Sequence, residues 1–449
     1  MNNNRQKLNS LGLDVPPILL PKPACLQKWP VIACDQFTQD RDYWEKVKTA
    51  ADGAPSALNL IFPEVFLSDE GAAQRIAGIH STMKRYLSQG VFEEPKQGFI
   101  YIERDTPYNK KRRGLIAAVD LEQYDWKPEA RPLIRCTEGT VEERLPPRMD
   151  IRRGAPLELP HVILLIDDDT DSFLPALGER VKKDAPVYST QLMMDSGSVS
   201  GWFLDSGDTL SFIAEKLQEL CRRSTGRYTG SGGNAADQPF LFAVGDGNHS
   251  LAAAKGVWEG YRTSSLYEAS RTNDEQPSHP CRYALVEIEN IYDPAVQFEP
   301  IHRLLLDTGF DEAVSILSRL PGFSFRSVNS AGELVRLCGQ PSAANCFGVI
   351  SEGRYALIET SEAGIATACL QPLLDDYAGS TPQMIDYIHD EEELFRLSAS
   401  RRVAGVLLPP VQKSGLFETV ARLGPLPRKS FSMGRSCEKR FYLECRSLF

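Results

Sequence analysis

The stretch Phe240 to Tyr261, FLFAVGDGNHSLAAAKGVWEGY, decides how the rest of the chain is read. The apolar run 240–244 stops abruptly at Gly-Asp-Gly-Asn-His-Ser, and from Ser250 onward the apolar residues recur at helical spacing. A buried strand that passes directly into a helix through a glycine-bearing turn is the building unit of an α/β fold. Gly245 and Gly247 allow positive φ, or a close approach of a ligand to the backbone. A helix start also exposes backbone N–H groups and the positive end of the helix dipole, which together cradle phosphate. In this turn Asn248 and His249 can donate hydrogen bonds, and Asp246 can accept a proton or bind a metal. An Asp or Ser ahead of an apolar helix is also an ordinary N-cap. A cap alone does not need Asp, Asn, His and Ser together. No G-x-x-x-x-G-K-[ST] loop occurs in the chain.

Working outward, the same alternation recurs. Apolar runs rich in Val, Ile and Leu predict strands at 30–33, 98–103, 114–119, 161–166, 240–244 and 282–288. Helical periods predict helices at 42–51, 71–89, 208–223, 250–260 and 310–320. The expected fold is α/β, a mixed sheet with covering helices, plus a smaller α+β C-terminal part. Two polar stretches, 224–238 and 269–280, read as loops within one sheet that deliver the chain into the strands that follow. Further on, CFGVISEGRYALIETSE reads as a hairpin turning at Glu352-Gly353, and Val403 to Leu408 as a third strand. A domain boundary is expected near 308, giving a main domain 1–308 and a C-terminal region 309–449 that contributes a basic loop.

At 449 residues the chain exceeds one ordinary compact core, and its 42% hydrophobic and 24% charged residues are globular values, so most of it should be packed. Disorder is expected only over the first fifteen or so residues. The net charge of −10 argues against gripping a nucleic-acid backbone. No apolar run approaches the roughly 20 residues of a membrane span, and the N-terminal stretch lacks a signal-peptide core. The expectation is a soluble cytoplasmic protein that takes a small phosphorylated ligand, with neither nucleic acid nor membrane as partner. The ten cysteines include no Cys-x-x-Cys pair and read as reduced, mostly buried thiols.

Other constellations carry chemistry. Glu138 and Thr140, in RCTEGTVEER with Arg144, pair a carboxylate with a hydroxyl in a loop after an extended segment; the same stretch also reads as a plain charged loop. Asp35, in IACDQFT, follows a strand-like run and stands where α/β proteins bind ligands, or else caps the helix that follows. His302 and Arg303, read as the close of a strand, suit an anion, although a buried, hydrogen-bonded His is the commoner outcome. Arg428, Lys429 and Ser430 in LPRKSFSM form a cationic, hydroxylated loop able to close over phosphates, or simply a solvated one. ILLIDDDTDS and NKKRR read as a polar loop and a basic hairpin turn.

Two resemblances sharpen this reading. The opening turn resembles the Asp-Gly-His-His-Arg motif of the ParB-like free serine kinases, and more distantly the phosphate-binding turns of ParB and sulfiredoxin, which hold nucleotide phosphates at a helix start. Asp246, Gly247 and His249 match that motif, while Asn248 and Ser250 stand where it has a His and an Arg, so one implied phosphate contact has no counterpart here. The free serine kinases also have a His-Glu-x-Thr stretch similar to the one around Glu138 and Thr140. From Trp29 to Arg446 the chain is identified as a member of the uncharacterised bacterial and archaeal domain-of-unknown-function family ten-fifteen. The stretches that carry this are WPVIACDQFT, RRGLIAAVDLEQYDW, TEGTVEERLPPR, GAPLELPHVILLIDD, FAVGDGNHSLAAAK, FEPIHRLL, IDYIHDEEEL, LLPPVQKSGLF and LPRKSFSM.

The family itself implies no activity. The kinase resemblance implies ParB- and sulfiredoxin-like elements and a nucleotide-dependent kinase of a hydroxylated metabolite such as serine, working with Mg2+ and ATP or ADP. In that scheme the 246–250 turn holds phosphates, His302, Arg303, Lys429 and Ser430 add contacts to them, and Thr140 and Arg144 contact substrate. Asp35 or Glu138 takes the acceptor proton, with Asp246 and His249 at the catalytic centre and Asp246 the metal ligand. A phospho-amino-acid phosphatase, or a non-enzymatic ParB-like module sensing a nucleotide or phosphometabolite, would use the same anion site. The sequence does not set the oligomeric state.

Overall fold

Strand Phe242–Asp246 and helix Asn248–Arg262 form as the opening stretch predicts, and the rest of the first compact unit is built around them. The structure is a computed structural model, and it describes residues 2–228, 239–265, 267, 279–340, 344–379 and 384–449. The unit comprises Met1–Cys136, Thr140–Val296 and Arg435–Phe449.

Its ten-stranded sheet runs, edge to edge, Tyr188–Gln191, Ser198–Leu204, Phe99–Asp105, Arg112–Asp120, Tyr283–Asn290, Ile163–Ile166, Phe242–Asp246, Ile134–Cys136 and Tyr124–Asp125, with Leu13–Asp14 added on Arg112–Asp120. The sheet is mixed. Ile163–Ile166 pairs antiparallel with Phe242–Asp246 but parallel with Tyr283–Asn290, and Ile134–Cys136 runs parallel to Phe242–Asp246. Phe242, Ala243 and Val244 are buried, as befits a central strand covered on both faces. The following helix buries Leu251, Ala252, Ala253, Ala254, Val257 and Trp258, an apolar stripe at helical period. Each large side chain of that stripe contributes about 1.5–3 kcal/mol by leaving water.

One register decides where chemistry gathers. Ile163 lies opposite Asp246 in the antiparallel pair, with an irregularity between Ile163 and Leu164, so the residues just before Ile163 run alongside the turn. The C-terminal segment adds two further strand pairings. Phe441–Tyr442 pairs with Val31–Ile32, Arg446–Ser447 pairs with Leu157–Glu158, and Ala33 N–H donates to Arg440 O at 2.8 Å.

The second unit comprises Thr137–Gly139 and Gln297–Gly434. Its antiparallel six-stranded sheet runs Ser324–Val328, Arg354–Glu359, Cys346–Ser351, Val403–Leu407, His302–Leu306 and Ile385–Ile388. Alternate residues feed two apolar layers: Leu305, Phe347, Val349, Ile358 and Val406 in one, Leu304, Ile350, Leu357 and Leu407 in the other. The hairpin turns at Glu352-Gly353, where φ of 49° and 76° gives the left-handed pair that a two-residue hairpin needs.

The mixed α/β class expected from the sequence is the class observed. The division lies at Val296/Gln297, and the expected boundary near 308 falls inside the second unit, because His302–Leu306 pairs with both Val403–Leu407 and Ile385–Ile388. His302 therefore opens a strand instead of closing one. The N-terminal stretch is structured: helix Asn2–Ser10 and strand Leu13–Asp14 bury Leu8, Leu11, Leu13 and Val15. Helix Gly207–Tyr228 runs past Ser224, whose hydroxyl donates to Phe240 O, so 224–228 of the expected loop are helical, and 229–238 lie outside the described residues. Of the loop expected at 269–280, only His279 and Pro280 are among them.

Of the basic turn expected at 109–113, residues 109–111 lie in the connection between the antiparallel strands Phe99–Asp105 and Arg112–Asp120, while Arg112 and Arg113 already belong to the second strand. Asp168 accepts from the N–H groups of Ser172 and Phe173 at 2.7 and 2.8 Å, which makes 167–169 the polar loop expected. All ten cysteines are free thiols. Among the described residues no helix is long and apolar enough to cross a membrane.

Candidate functional site

Gly247 is where the strand ends and the helix begins, and two separate constraints require glycine there. Its φ is 82°, and a Cβ would meet Val162 Cα and Cγ2 at 3.1 Å. Glycine at the cap position offers the helix no side-chain cap, and residues 245–250 are half-buried. Asp246 points elsewhere. Its Oδ1 accepts from Gly247 N–H at 3.1 Å, and its Oδ2 lies 3.2 Å from the Lys439 ammonium, a residue of the C-terminal segment that is only 5% exposed. The carboxylate thus holds a lysine beside the helix start.

Beside the turn runs a chain of side chains that no local pattern announces. His161 Nε2 is 2.7 Å from Ser250 Oγ, and His161 Nδ1 is 2.8 Å from the Tyr442 hydroxyl, which accepts from Cys34 N–H at 3.2 Å. Next to Cys34, Asp35 is half-buried and accepts from Gln36 Nε2 at 3.1 Å. Burial pushes its carboxyl up, but His161, the Gln36 amide, Lys439 and Arg148 outweigh burial and bring it below the usual carboxylate range. Glu64 is pushed the other way, by burial and by the charge of Asp35, with its ion-pair partner Arg148 opposing. The two neighbouring carboxylates are therefore shifted in opposite directions, Asp35 down and Glu64 up.

The sequence candidates distribute as follows. Asp35, Asp246, Gly247, Asn248, His249 and Ser250 belong to the first unit and lie on or beside the turn and its relay. His249 Nε2 accepts from Val141 N–H at 3.2 Å, which ties the imidazole to the loop at 140–141. In that loop the Thr140 hydroxyl is buried and has no hydrogen-bond partner among the described residues. Arg144 is exposed, and its carbonyl accepts from Arg148 at 2.8 Å.

The second unit engages four candidates in its own structure. Glu138 accepts from Lys429 N–H at 3.2 Å and Ser430 N–H at 3.0 Å, so both of its oxygens hold the basic loop in shape. Burial nonetheless raises its pKa, against those amides and the Lys429 charge. Arg303 is fully buried and donates to Gln371 Oε1 at 2.7 Å, to Ile301 O and to Lys429 O at 3.0 Å, which leaves no open face for an anion. His302 Nδ1 accepts from Leu408 N–H at 3.1 Å, and burial beside Arg303 lowers its pKa to about 4, so it is a neutral core imidazole. Ser430 is buried between Pro427 O and the Thr367 hydroxyl. Lys429 is exposed, with φ at 61°.

The carboxylates at the turn do not suit a metal. Asp246 is occupied by Lys439 and Gly247 N–H, Asp35 sits in a cationic field, and no group of three His, Cys, Asp or Glu among the described residues is arranged to hold an ion. His161, Tyr442, Lys439, Glu64 and Arg148 are the residues that sequence reading missed. His161 carried the one usable signal, a lone imidazole at the mouth of the strand in GAPLELPHVILLIDD.

The family described as "Protein of unknown function (DUF1015)" matches residues 19–377. No curated protein matches the chain. Among solved structures it is similar to a free serine kinase in complex with AMP, at 12% identity and TM-score 0.36, covering 77% of this chain and 94% of that one. It is also similar to a conserved hypothetical protein from Pyrococcus furiosus, at 11% identity and TM-score 0.34, covering 73% and 90%. A third is SbnI with a C-terminal truncation from Staphylococcus aureus, at 8% identity and TM-score 0.34, covering 74% and 81%.

Proposed function

The chain belongs to the DUF1015 family of proteins of unknown function, and since membership assigns no activity, we propose from its own side chains that it is a phosphotransferase acting on a small hydroxylated metabolite. The observation that carries this reading is a coincidence of two features. A helix start with glycine at its cap position, suited to phosphate, and a carboxylate kept below its ordinary pKa share the neighbours His161 and Lys439.

In this reading the nucleotide phosphates of ATP or ADP lie against the N–H groups of Asn248, His249 and Ser250, with Lys439 balancing charge. Asp35 accepts the proton of the acceptor hydroxyl, for which serine is the first candidate. Of the two carboxylates offered by the sequence, Asp35 suits the base, because Glu138 is tied to the backbone of 429–430. Positioning and fixed charges supply most of the acceleration. No step is assigned to Mg2+, which the turn carboxylates do not fit.

The test is titration calorimetry with ATP, ADP and serine alongside a phosphoserine assay, on wild type and Asp35→Asn. Nucleotide binding that survives in Asp35→Asn while turnover falls about 10²–10⁴-fold is the expected result for loss of a general base. Wild type that binds no nucleotide, or Asp35→Asn that turns over normally, overturns the assignment.

A further inference from the structure

Ser250 does not behave as a helix-start serine usually does. Such a hydroxyl commonly bonds to nearby backbone, whereas Ser250 Oγ lies 2.7 Å from Nε2 of His161, on the neighbouring strand side. The imidazole is oriented in turn from its other nitrogen, where Nδ1 is 2.8 Å from the Tyr442 hydroxyl. That hydroxyl accepts from Cys34 N–H at 3.2 Å, which fixes its position from the backbone of the residue before Asp35. A hydroxyl, a base within reach of it, and a third group orienting the base form the arrangement of an activated nucleophile. With Nε2 as acceptor of the Ser250 proton, Nδ1–H donates to the Tyr442 oxygen, and the Asp35 carboxylate interacts electrostatically with the same imidazole. Ser250 lies in the first turn of helix Asn248–Arg262, and the backbone N–H groups of a helix start suit the oxygens of a phosphoryl group.

We propose that Ser250 is a covalent phosphoryl acceptor, deprotonated by His161, so that transfer proceeds through a phosphoserine on the enzyme. This rests on the phosphotransferase reading above. In the first half-reaction Ser250 Oγ attacks the terminal phosphorus of a nucleoside triphosphate. The Oγ–P bond forms, the P–O bond to the leaving group breaks, the nucleoside diphosphate departs with that electron pair, and the Ser250 proton passes to His161 Nε2. In the second, the acceptor hydroxyl attacks the phosphoserine and gives its proton to Asp35. The new O–P bond forms, the Oγ–P bond breaks, and His161 returns its proton to Ser250 Oγ. Two bases are thereby each used once, which accounts for Asp35 and His161 standing together beside one turn.

The experiment incubates the full chain with ATP radiolabelled at the γ-phosphate, without acceptor, and then chases with serine. Nucleotide binding is measured on the same samples, and the labelled peptide is located by mass spectrometry. Acid-stable label on Ser250 that chases into serine is the expected result. Ser250→Ala abolishes it, Ser250→Thr, which keeps a hydroxyl, retains part of it, and His161→Gln slows it about 10²–10⁴-fold. Far-UV circular dichroism on each variant separates loss of label from loss of fold, and the Thr variant keeps the test decisive if Ala does not fold. Turnover without label, with Ser250→Ala as active as wild type, overturns the covalent route and leaves direct transfer standing. Acid-labile label on His161 overturns it in favour of histidine as nucleophile. Absence of nucleotide binding in wild type overturns both this inference and the reading beneath it.

Discussion

Lys439 Nζ lies 3.2 Å from the Asp246 carboxylate, with the lysine side chain 6% and the aspartate side chain 22% exposed. The C-terminal segment thus delivers its cation to the turn that starts helix Asn248–Arg262, and the pair is screened from water too well for either partner to be removed cheaply. Lys439→Met is expected to lower unfolding free energy by about 3 kcal/mol, since it strands a partly buried carboxylate. It should also weaken ADP binding more than serine binding. Denaturant unfolding and calorimetry on the same preparation check both, and a variant that binds ADP as wild type does would remove Lys439 from the anion site.

Asp35 should leave its mark on acid stability. Its folded-state pKa lies below its ordinary value of 3.8, because the surrounding cations outweigh burial. The ionised group therefore contributes stability that is present above the unfolded value and lost as pH falls through the folded one. Asp35→Asn is expected to flatten the stability profile in that acidic window while leaving the slope at neutral pH unchanged. Urea unfolding at a series of acidic pH values reads this directly, and an unchanged acidic slope would mean that the cations do not act on Asp35.

Glu138 should matter to loop order more than to chemistry. It accepts from the N–H groups of Lys429 and Ser430, and a hydrogen bond to a charged group contributes roughly 1.5–3 kcal/mol. Glu138→Ala is expected to speed amide exchange at Lys429 and Ser430 well beyond exchange in strand Cys346–Ser351. If those two amides stay as protected as before, the carboxylate is not what holds the loop.

His302 gives the second unit a pH-dependent stability of opposite origin. Burial and the Arg303 charge lower its pKa from 6.5 to about 4, so in that window the unfolded chain takes up a proton that the folded chain refuses. Stability is full above the unfolded value and declines as pH falls towards the folded one, by at most about 1.4 kcal/mol per pH unit. His302→Asn keeps an acceptor for Leu408 N–H and removes the titration. Urea unfolding at about pH 7 and pH 5 should show a smaller loss in the variant than in wild type, and equal losses would place the titrating group elsewhere.

Much of the architecture was legible because it is local. The 240–244 run, the helical period from Ser250 and the Glu352-Gly353 turn each state their structure within a dozen or so residues. The N-terminal stretch was misread because its polar composition hides four buried side chains, whose partners are distant. Leu13 pairs with Val119, and Asn4 donates to Gly207 O at 3.0 Å. His302 and Arg303 were misread for the converse reason. A His-Arg pair suits an anion by chemistry alone, but strand pairing on both sides of His302–Leu306 buries them.

By itself the sequence determined the strand-to-helix turn, the glycine at 247 and the carboxylate at 35, because backbone conformation and burial period are set by neighbours along the chain. Only the tertiary structure decided what stands around them. The antiparallel register of Ile163 against Asp246 brings His161 to Ser250, and the pairing of Phe441–Tyr442 with Val31–Ile32 brings Lys439 and Tyr442 alongside. Those partners are separated by many tens to hundreds of residues, and a side chain that acts through space carries no periodic signal in the sequence that places it there.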